Sequence, residues 1–148
     1  MTYHDRLFKE LLETFFSEFV EIFFPQVYEA IDLEHIQFLK QEIFTDVTRG
    51  DKHFVDILVQ TKLKEDPGII LVHVESQASV ERDFAERMFV YFSRLYQAHR
   101  CRILPIAVFS YPQKHDEPDY FKLEFPFMPV LDFRFLILEL RKHNWRNY

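Results

Sequence analysis

Two alternating segments separated by a polar turn constrain the fold of this chain more than any other feature. In residues 53–60 and 69–76, β-branched side chains recur at every second position, as in strands that show different side chains to their two faces. The intervening residues 61–68 are mostly polar and contain Pro67 and Gly68, which are typical of a turn. This arrangement predicts an antiparallel β-hairpin.

The expected register of the hairpin brings two carboxylates together. With the turn centred near residues 65 and 66, paired positions sum to about 131, so Asp56 faces Glu75 and Leu58 faces His73. The Cβ atoms of directly opposed residues lie only about 4.5–5.5 Å apart, where two carboxylates repel each other unless a cation or proton lies between them. Mg²⁺ prefers oxygen ligands, and a metal here would polarise a phosphodiester and lower the pKa of an attacking water.

The alternative is that Asp56 and Glu75 lie on the solvated face of a half-exposed hairpin. Phe54, expected opposite Gln77, and Leu58 share that face, and neither suits bulk solvent. A carboxylate on an otherwise apolar face is expected to be paired, metal-bound or functional.

The remaining periodicity predicts helices on a mixed sheet. Residues 5–24 form a Phe-rich amphipathic helix that ends at Pro25, and residues 80–100 form a second helix. Residues 103–109 read as a buried strand, with Pro105 at its start or on a sheet edge, and residues 121–140 supply one or two further strands, broken near Pro126 and Pro129. The expected fold is a single α/β domain over residues 1–148, with a mixed central β-sheet flanked by helices.

Charge is distributed unevenly along the chain. The net charge of −6 argues against indiscriminate binding to nucleic acid, but residues 1–46 alone contain ten acidic and three basic side chains. Residues 87–102 instead carry four arginines and no acidic residue: Arg87, Arg94, Arg100 and Arg102. This arginine strip is either a solvated helix face or an anion-binding surface.

The predicted location is the cytoplasm, without membrane insertion. Cys101 is the single cysteine, so it cannot form an internal disulfide. No apolar run approaches the roughly 20 residues that span a bilayer, and charges interrupt the N-terminus where a signal peptide needs an apolar core.

Several ordered blocks resemble one nuclease family. Asp56 followed by Glu75-Ser76-Gln77 resembles the Asp…Glu-x-Lys signature of PD-(D/E)xK nucleases, in a Glu-x-Gln form. More closely, the chain resembles the Rpn family of recombination-promoting nucleases and transposase-like proteins. The blocks that carry this resemblance are residues 4–12, Asp56, residues 73–77, residues 87–91, residues 105–109 and residues 144–146.

The resemblance implies a restriction-endonuclease-like core, metal-dependent DNA cleavage and roles for individual residues. Asp56 and Glu75 would bind Mg²⁺, or Mn²⁺ or Ca²⁺, and Gln77 would occupy the position usually held by Lys. Glutamine hydrogen-bonds but carries no charge, so Lys9, or less favourably Lys52 or Lys62, is the candidate replacement cation. Arg87, one helical turn from Tyr91, is a candidate phosphate contact.

Other residues have both structural and functional interpretations. Asp5 is either a helix-capping acid or a site residue beside the hairpin, and His73 either binds substrate or metal or is a structural histidine. Glu10 and Glu13 are possible outer metal ligands, although a solvated helix face suits them better. Asp46 is a further acidic residue that could join the site from a neighbouring strand.

The leading hypothesis is therefore a Mg²⁺-dependent DNA endonuclease associated with recombination or mobile elements. The alternative is a catalytically weakened or inactive domain of the same fold that binds nucleic acid or protein. DNA is the expected partner, and a homodimer is plausible by analogy with nucleases that cut both strands. Because members of the family usually continue past residues 144–146 with a helical segment, the resemblance implies a shortened chain or a fragment.

Overall fold

The computed structural model describes residues 3–40, 43–45, 52–54, 57–77, 82–110 and 118–140, and side chains for residues 6–40, 57–77, 82–110 and 118–140. The helices are α1 (Tyr3–Thr14), α2 (Phe16–Phe23), α3 (Pro25–Ala30) and α4 (Phe84–His99). A 3-10 turn (Leu33–His35) follows α3. The strands are β1 (Gln37–Phe38), β2 (Ile43–Thr45), β3 (Lys52–Phe54), β4 (Ile57–Leu63), β5 (Asp66–Gln77), β6 (Arg102–Phe109), β7 (Tyr120–Phe125), β8 (Met128–Arg134) and β9 (Leu136–Glu139).

The strands form one mixed sheet and two small ribbons. The five-stranded sheet has the order β1-β4-β5-β6-β9, while β2 pairs with β3 and β7 pairs with β8. Strand β4 is antiparallel to β1 and β5, whereas β9 is parallel to β6. This mixed sheet and the helices confirm the predicted α/β class.

The chain divides into two compact units along the sequence. The first unit contains Met1–Val74 and Cys101–Leu104, and the second contains Glu75–Arg100 and Pro105–Tyr148. The division falls within β5 and β6, so each of these strands contributes residues to both units.

The first unit begins with two helices, α1 and α2, where one helix over residues 5–24 was predicted, and α3 follows directly. A buried stripe at i+3 and i+4 spacing runs along this part of the chain: Leu12, Phe16, Val20, Phe24, Val27 and Ile31. The chain bends at Phe15, next to Thr14, whose hydroxyl donates to the backbone oxygen of Glu10 at 2.9 Å. Such a side-chain bond to the preceding turn bends helices. Pro25, predicted only to end a helix, also begins α3, because proline suits the first helical position.

The predicted hairpin is present as β4 and β5, but its turn is shorter than expected. The turn consists of Lys64 and Glu65, and β5 already begins at Asp66, so Pro67 and Gly68 lie within the strand. Asp66 stabilises this beginning, since its carboxylate accepts from the Gly68 amide at 2.8 Å and from the Arg102 guanidinium at 2.6 Å. The first predicted strand is also divided, with β3 paired to β2 and separate from β4.

These bonds make Asp66 a source of acid sensitivity. The Gly68 amide first, and then Arg102, lower the pKa of Asp66 below its usual value of 3.8. Its contribution to stability is therefore present above pH 3.8 and is lost as the pH falls through the lower folded-state pKa. Urea-unfolding midpoints measured between pH 5 and pH 2 should fall less steeply for Asp66→Asn than for wild type. The exposed neighbour Glu65 supplies the control Glu65→Gln, and equal slopes in all three proteins would contradict the prediction.

The second unit has a core between α4, β6 and the chain around β8. It contains Phe84, Ala85, Met88, Ala107, Phe109, Phe133 and Phe135. The spacing in residues 80–100 predicts an apolar stripe of Phe84, Met88, Tyr91, Phe92, Leu95 and Tyr96. In α4, Phe84, Met88, Tyr91 and Leu95 are buried and Phe92 is half-buried, whereas Tyr96 is exposed. Both residues that bound α4, Asp83 and Arg100, have left-handed backbone angles, with φ of 62° and 52°.

Two strand predictions for the second unit were wrong in detail. Pro105 was placed at a strand start or a sheet edge, yet β6 lies between β5 and β9, and its pairing to β9 begins one residue later at Ile106. Residues 121–140 contain all or part of three strands instead of one or two. The break near Pro126 is confirmed, while Pro129 lies inside β8 beside a register shift that accommodates the extra residue.

Candidate functional site

Polar side chains follow one another at alternate positions near the carboxyl end of β5. They are His73, Glu75 and Gln77, which share one face of the strand. His73 is fully buried, Glu75 is 8% exposed and Gln77 is half-buried. A carboxylate so nearly withdrawn from water is costly unless charged or hydrogen-bonding groups compensate it, so Glu75 is the centre of the candidate site.

The predicted register of the hairpin is confirmed from Ile57 to Lys62, and it shifts by two at Leu63, which pairs with Asp66. Ile57 pairs with Val74 and Leu58 pairs with His73, so the numbers of the paired residues sum to 131 as predicted. Asp56, predicted to face Glu75, lies outside the described residues, so that pairing stays a prediction. Phe54 was expected opposite Gln77, but its backbone pairs with Ile43 in the separate β2–β3 ribbon.

The alternative of a half-exposed, solvated hairpin is wrong for the residues around His73. Leu58 and His73 are both buried, and so are Ile57 and Val74 on the opposite face. Both faces of the hairpin are therefore covered at this point. Glu75 is the next residue of β5 after Val74, and it therefore lies directly beyond the part of the hairpin that is buried on both faces.

The end of β5 lies beside the ends of two other strands in the second unit. The Ser110 amide, directly after β6, donates to the backbone oxygen of Gln77 at 3.0 Å. Phe109, the last residue of β6, is paired in register with Glu139 at the end of β9. The carboxyl ends of β5, β6 and β9 therefore meet at one sheet edge, where α/β proteins commonly bind ligands.

Glu139 is the acidic residue that sequence reasoning missed. It is half-buried at this edge, two strands away from β5, a lateral separation of roughly 10 Å. The local signal was an acidic residue directly after the apolar run 135–138. The parallel pairing of β9 with β6 is what brings it to this edge, and that pairing has no local signature.

The predicted pairing of Arg87 with Tyr91 on one face of α4 is confirmed. The Arg87 guanidinium donates to the Tyr91 hydroxyl at 3.0 Å, and its central carbon lies 5.8 Å from the centre of the Tyr91 ring. Tyr91 is buried and Arg87 half-buried. Phe84, at the start of α4, contacts Phe109 with ring centroids 5.0 Å apart, so this helix begins beside the end of β6. Arg87 is thus a positioned cation in the unit that contains Glu75.

The arginine strip does not act as one uniform cationic surface. Arg94 lies seven residues after Arg87, on the same face of α4, and is half-buried. Arg100 caps the helix and lies over the Tyr96 ring at 5.9 Å. Arg102 belongs to the first unit, where its guanidinium is paired with Asp66. The anion-binding interpretation therefore narrows to the α4 face with Arg87 and Arg94.

The candidate replacement cations have different positions. Lys9 is half-buried on α1, with its Nζ 3.9 Å from the Glu13 carboxylate. Lys62 pairs with Ile69 near the beginning of β5, and both residues belong to the first unit. The side chain of Lys52 lies outside the described part of the chain.

The remaining predicted residues add little to the site. Asp5 lies in α1 by its backbone, and its side chain is outside the described residues, as is the whole of Asp46. Glu10 and Glu13 are exposed, which agrees with a solvated helix face. Among the residues with described positions, no three His, Cys, Asp or Glu side chains cluster so as to hold a metal ion. Over the same residues, none of the helices has the length and apolar character needed to cross a bilayer.

Fold and site together define a mixed α/β protein with a buried glutamate at a strand end and a positioned arginine on an adjoining helix. The family model described as "Putative transposase, YhgA-like" matches residues 2–108, and the chain belongs to this family. The match includes Asp56, Glu75, Gln77, Arg87 and the whole of α4. The predicted resemblance to the Rpn family is thereby confirmed. No curated protein and no solved structure matches the chain significantly.

Proposed function

We propose that this chain is a metal-dependent DNA endonuclease of its transposase-related family. Asp56 and Glu75 hold a divalent cation, Gln77 orients a water molecule, and Arg87 contacts a phosphate. The single observation that carries the proposal is the burial of Glu75 near the end of β5, directly after the hairpin pairs Ile57–Val74 and Leu58–His73, in which the two residue numbers sum to 131. One more residue pair in that register would set Asp56 against Glu75.

The residues suit a magnesium ion in the kind and number of their donors. Mg²⁺ is commonly bound by one or two carboxylates and completes its shell with water and substrate phosphate, so a third protein carboxylate is not required. The bound ion would polarise the phosphodiester and lower the pKa of water. Glu139, at the same sheet edge, is a further acceptor that would orient water or a coordinated solvent molecule.

The side chains of the protein supply orientation and charge around the phosphate. Arg87 is held by Tyr91, so its guanidinium loses little conformational freedom on meeting a phosphate oxygen. Gln77 has an amide that donates to one oxygen and accepts from a water at the same time. Because Gln77 carries no charge, the negative charge that develops on the phosphate would be stabilised by Arg87 and by Lys9, the cation of the first motif block.

Plasmid nicking tests this function. Supercoiled DNA with Mg²⁺ or Mn²⁺ should be converted to the open circular form by wild type, and chelation should stop the reaction. Asp56→Ala should remove nicking while DNA binding in a mobility-shift assay persists. Nicking that survives in Asp56→Ala would exclude this assignment.

A non-catalytic binding domain is the second candidate, and the residue at position 77 favours it. Lysine at this position would both orient water and stabilise charge, and glutamine does only the first. Lys9 also has Glu13 nearby, which reduces its availability. Metal-independent DNA or protein binding, with no cleavage by wild type under any divalent cation, would establish this candidate.

Restoring the lysine separates weak catalysis from none. Gln77→Lys is expected to raise the nicking rate at least tenfold, about 1.4 kcal/mol of transition-state stabilisation, because a positioned cation is added beside the phosphate. The rate should be measured at saturating DNA, with Gln77→Met as a control of similar size that lacks charge. A rate that is unchanged in Gln77→Lys would contradict a catalytic role for this position.

A further inference from the structure

The β7–β8 ribbon extends one apolar face beyond the core. Its strands pair with each other across the two-residue turn Pro126-Phe127, and no third strand joins them within the described residues. Because side chains alternate between faces, the opposed pairs divide between an apolar face and a second face, with a register shift between Leu123 and Glu124. The pairs on the apolar face are Phe121 with Phe133, Leu123 with Leu131, and Phe125 with Met128. The pairs on the second face are Tyr120 with Arg134, Lys122 with Asp132, and Glu124 with Pro129.

Among the described residues, only the base of the apolar face packs on another element, while Phe125 further along stacks on Phe127 of the turn with ring centroids 5.3 Å apart. At the base, Phe121 stacks on Phe89 of α4 with ring centroids 5.5 Å apart, and Phe133 is buried. Further along the same face, Leu123, Phe125 and Met128 are each about half exposed, and Phe127 in the turn is 81% exposed. The alternation that buries the base therefore continues into an apolar surface facing solvent.

The exposed part of the apolar face lies beside the open edge of β7. Leu123, Phe125, Phe127, Met128 and the adjacent Val130 together expose roughly 500 Å² of mainly apolar surface, within the range of the largest and often functional patch on a monomer. Edge-to-edge pairing of two ribbons would place the two patches side by side on one face of a continuous sheet, where Leu123 and Phe125 meet side chains of the other copy. The patch itself carries no charge, so apposing two copies of it creates no repulsion.

The outer edge of β7 can pair with a second copy of itself. In a hairpin closed by a two-residue turn, the residues flanking the turn face each other through backbone hydrogen bonds, and this orientation alternates along the strand. Phe125 and Leu123 therefore turn their backbone groups toward β8, whereas Glu124 and Lys122 turn theirs to the open edge. Antiparallel pairing centred on Leu123 would place Lys122 of one copy opposite Glu124 of the other.

We propose that the chain forms a two-fold symmetric dimer through antiparallel pairing of β7 with β7 of a second copy, with Leu123 on the axis. Each Lys122 forms a cross-strand ion pair with Glu124 of the other copy. Phe121 of each copy lies opposite Phe125 of the other on the shared apolar face. This interface is independent of the proposed nuclease function, because it uses none of its residues.

Charge complementarity selects a second copy over other occupants. Edge lysines normally discourage strand pairing, but here the same edge also carries the matching acid two residues away. Charges on residues 119–134 nearly cancel, with Lys122 and Arg134 against Asp119, Glu124 and Asp132. Such a surface has little attraction for a nucleic-acid backbone or an anionic membrane.

Sedimentation velocity over a wide concentration range tests the interface. The mass of wild type should rise with concentration and level off at twice the monomer mass. Lys122→Glu and Glu124→Lys each place like charges opposite each other twice per dimer. Each variant should therefore raise the dissociation constant of the dimer about tenfold. The double variant Lys122→Glu/Glu124→Lys restores opposite charges and should return to within about threefold of wild type. Both residues are exposed, and circular dichroism should confirm that every variant is folded.

A cysteine on the axis gives a second readout. In a Cys101→Ser background, the cysteine of Leu123→Cys should form a disulfide with the same cysteine of the second copy under mild oxidation. The two residues at position 123 face each other across the axis, within the range of a disulfide. Lys122→Cys in the same background is the control, as its opposite residue is 124. The proposal would be overturned if wild type stays monomeric. It would also be overturned if the single charge reversals leave the dissociation constant unchanged, or if the double variant does not restore it. Growth beyond a dimer, or flotation of a monomer with phosphatidylcholine–phosphatidylglycerol vesicles, would also overturn it.

Discussion

Replacing Glu75 with glutamine is expected to reduce metal-dependent nicking at least a hundredfold and to remove the thermal stabilisation that Mn²⁺ gives to wild type. Glutamine has nearly the volume of glutamate and keeps an oxygen acceptor, so the packing at the end of β5 should survive. The negative charge that binds the cation is lost. A hundredfold loss corresponds to about 2.7 kcal/mol of transition-state stabilisation.

The matched control for this variant is Glu65→Gln. Glu65 lies in the exposed turn at the other end of β5, so the same chemical change is made on the same hairpin away from the site. Its nicking rate and its Mn²⁺-dependent melting shift should equal those of wild type. A Glu75→Gln protein that nicks DNA at the wild-type rate would show that Glu75 is not a metal ligand.

Truncating Met88 to alanine is expected to lower the free energy of unfolding by about 2–5 kcal/mol. Met88 is fully buried in the core of the second unit, among the aromatic residues of α4, β6 and β8. Its loss removes apolar contacts and leaves a cavity that rigid rings fill poorly. Because Arg87 precedes Met88 on the same helix, DNA binding should weaken together with stability.

Urea denaturation measures this loss, with Gln97→Ala as the control. Gln97 is exposed on the same helix, where alanine has at least equal helix propensity, so its unfolding midpoint should change little. Equal midpoints for Met88→Ala and wild type would mean that α4 does not pack through this side chain.

Short-range sequence patterns were sufficient to predict the hairpin, but not its turn. Alternation located β4 and β5, whereas the turn lies at residues 64 and 65, one residue earlier than the predicted centre at residues 65 and 66. A register shift between Lys62 and Leu63 restores the predicted pairing of Leu58 with His73. The i+4 stripe from Leu12 was equally visible, but the break at Phe15 was not. That break accompanies a single hydroxyl bond from Thr14, and it leaves the apolar periodicity unchanged.

Features created by tertiary pairing were beyond prediction from the sequence. Nothing local to residues 136–139 shows that this strand lies parallel to β6, so the position of Glu139 at the site edge was missed. Burial of His73 likewise depends on which elements cover the hairpin. The apolar alternation of β7 resembled that of an ordinary core strand, although half of its apolar face is exposed.

The two residues that bound α4 have a consequence for how the protein moves. Asp83 and Arg100 both adopt left-handed angles, which cost non-glycine residues about 1–2 kcal/mol each and would cost glycine almost nothing. Local opening of α4 relieves this strain at both ends, whereas opening of the sheet relieves none. The strain therefore lowers the cost of opening α4 by about 2–4 kcal/mol in total, against the burial of Met88 and Leu95 that keeps the helix packed.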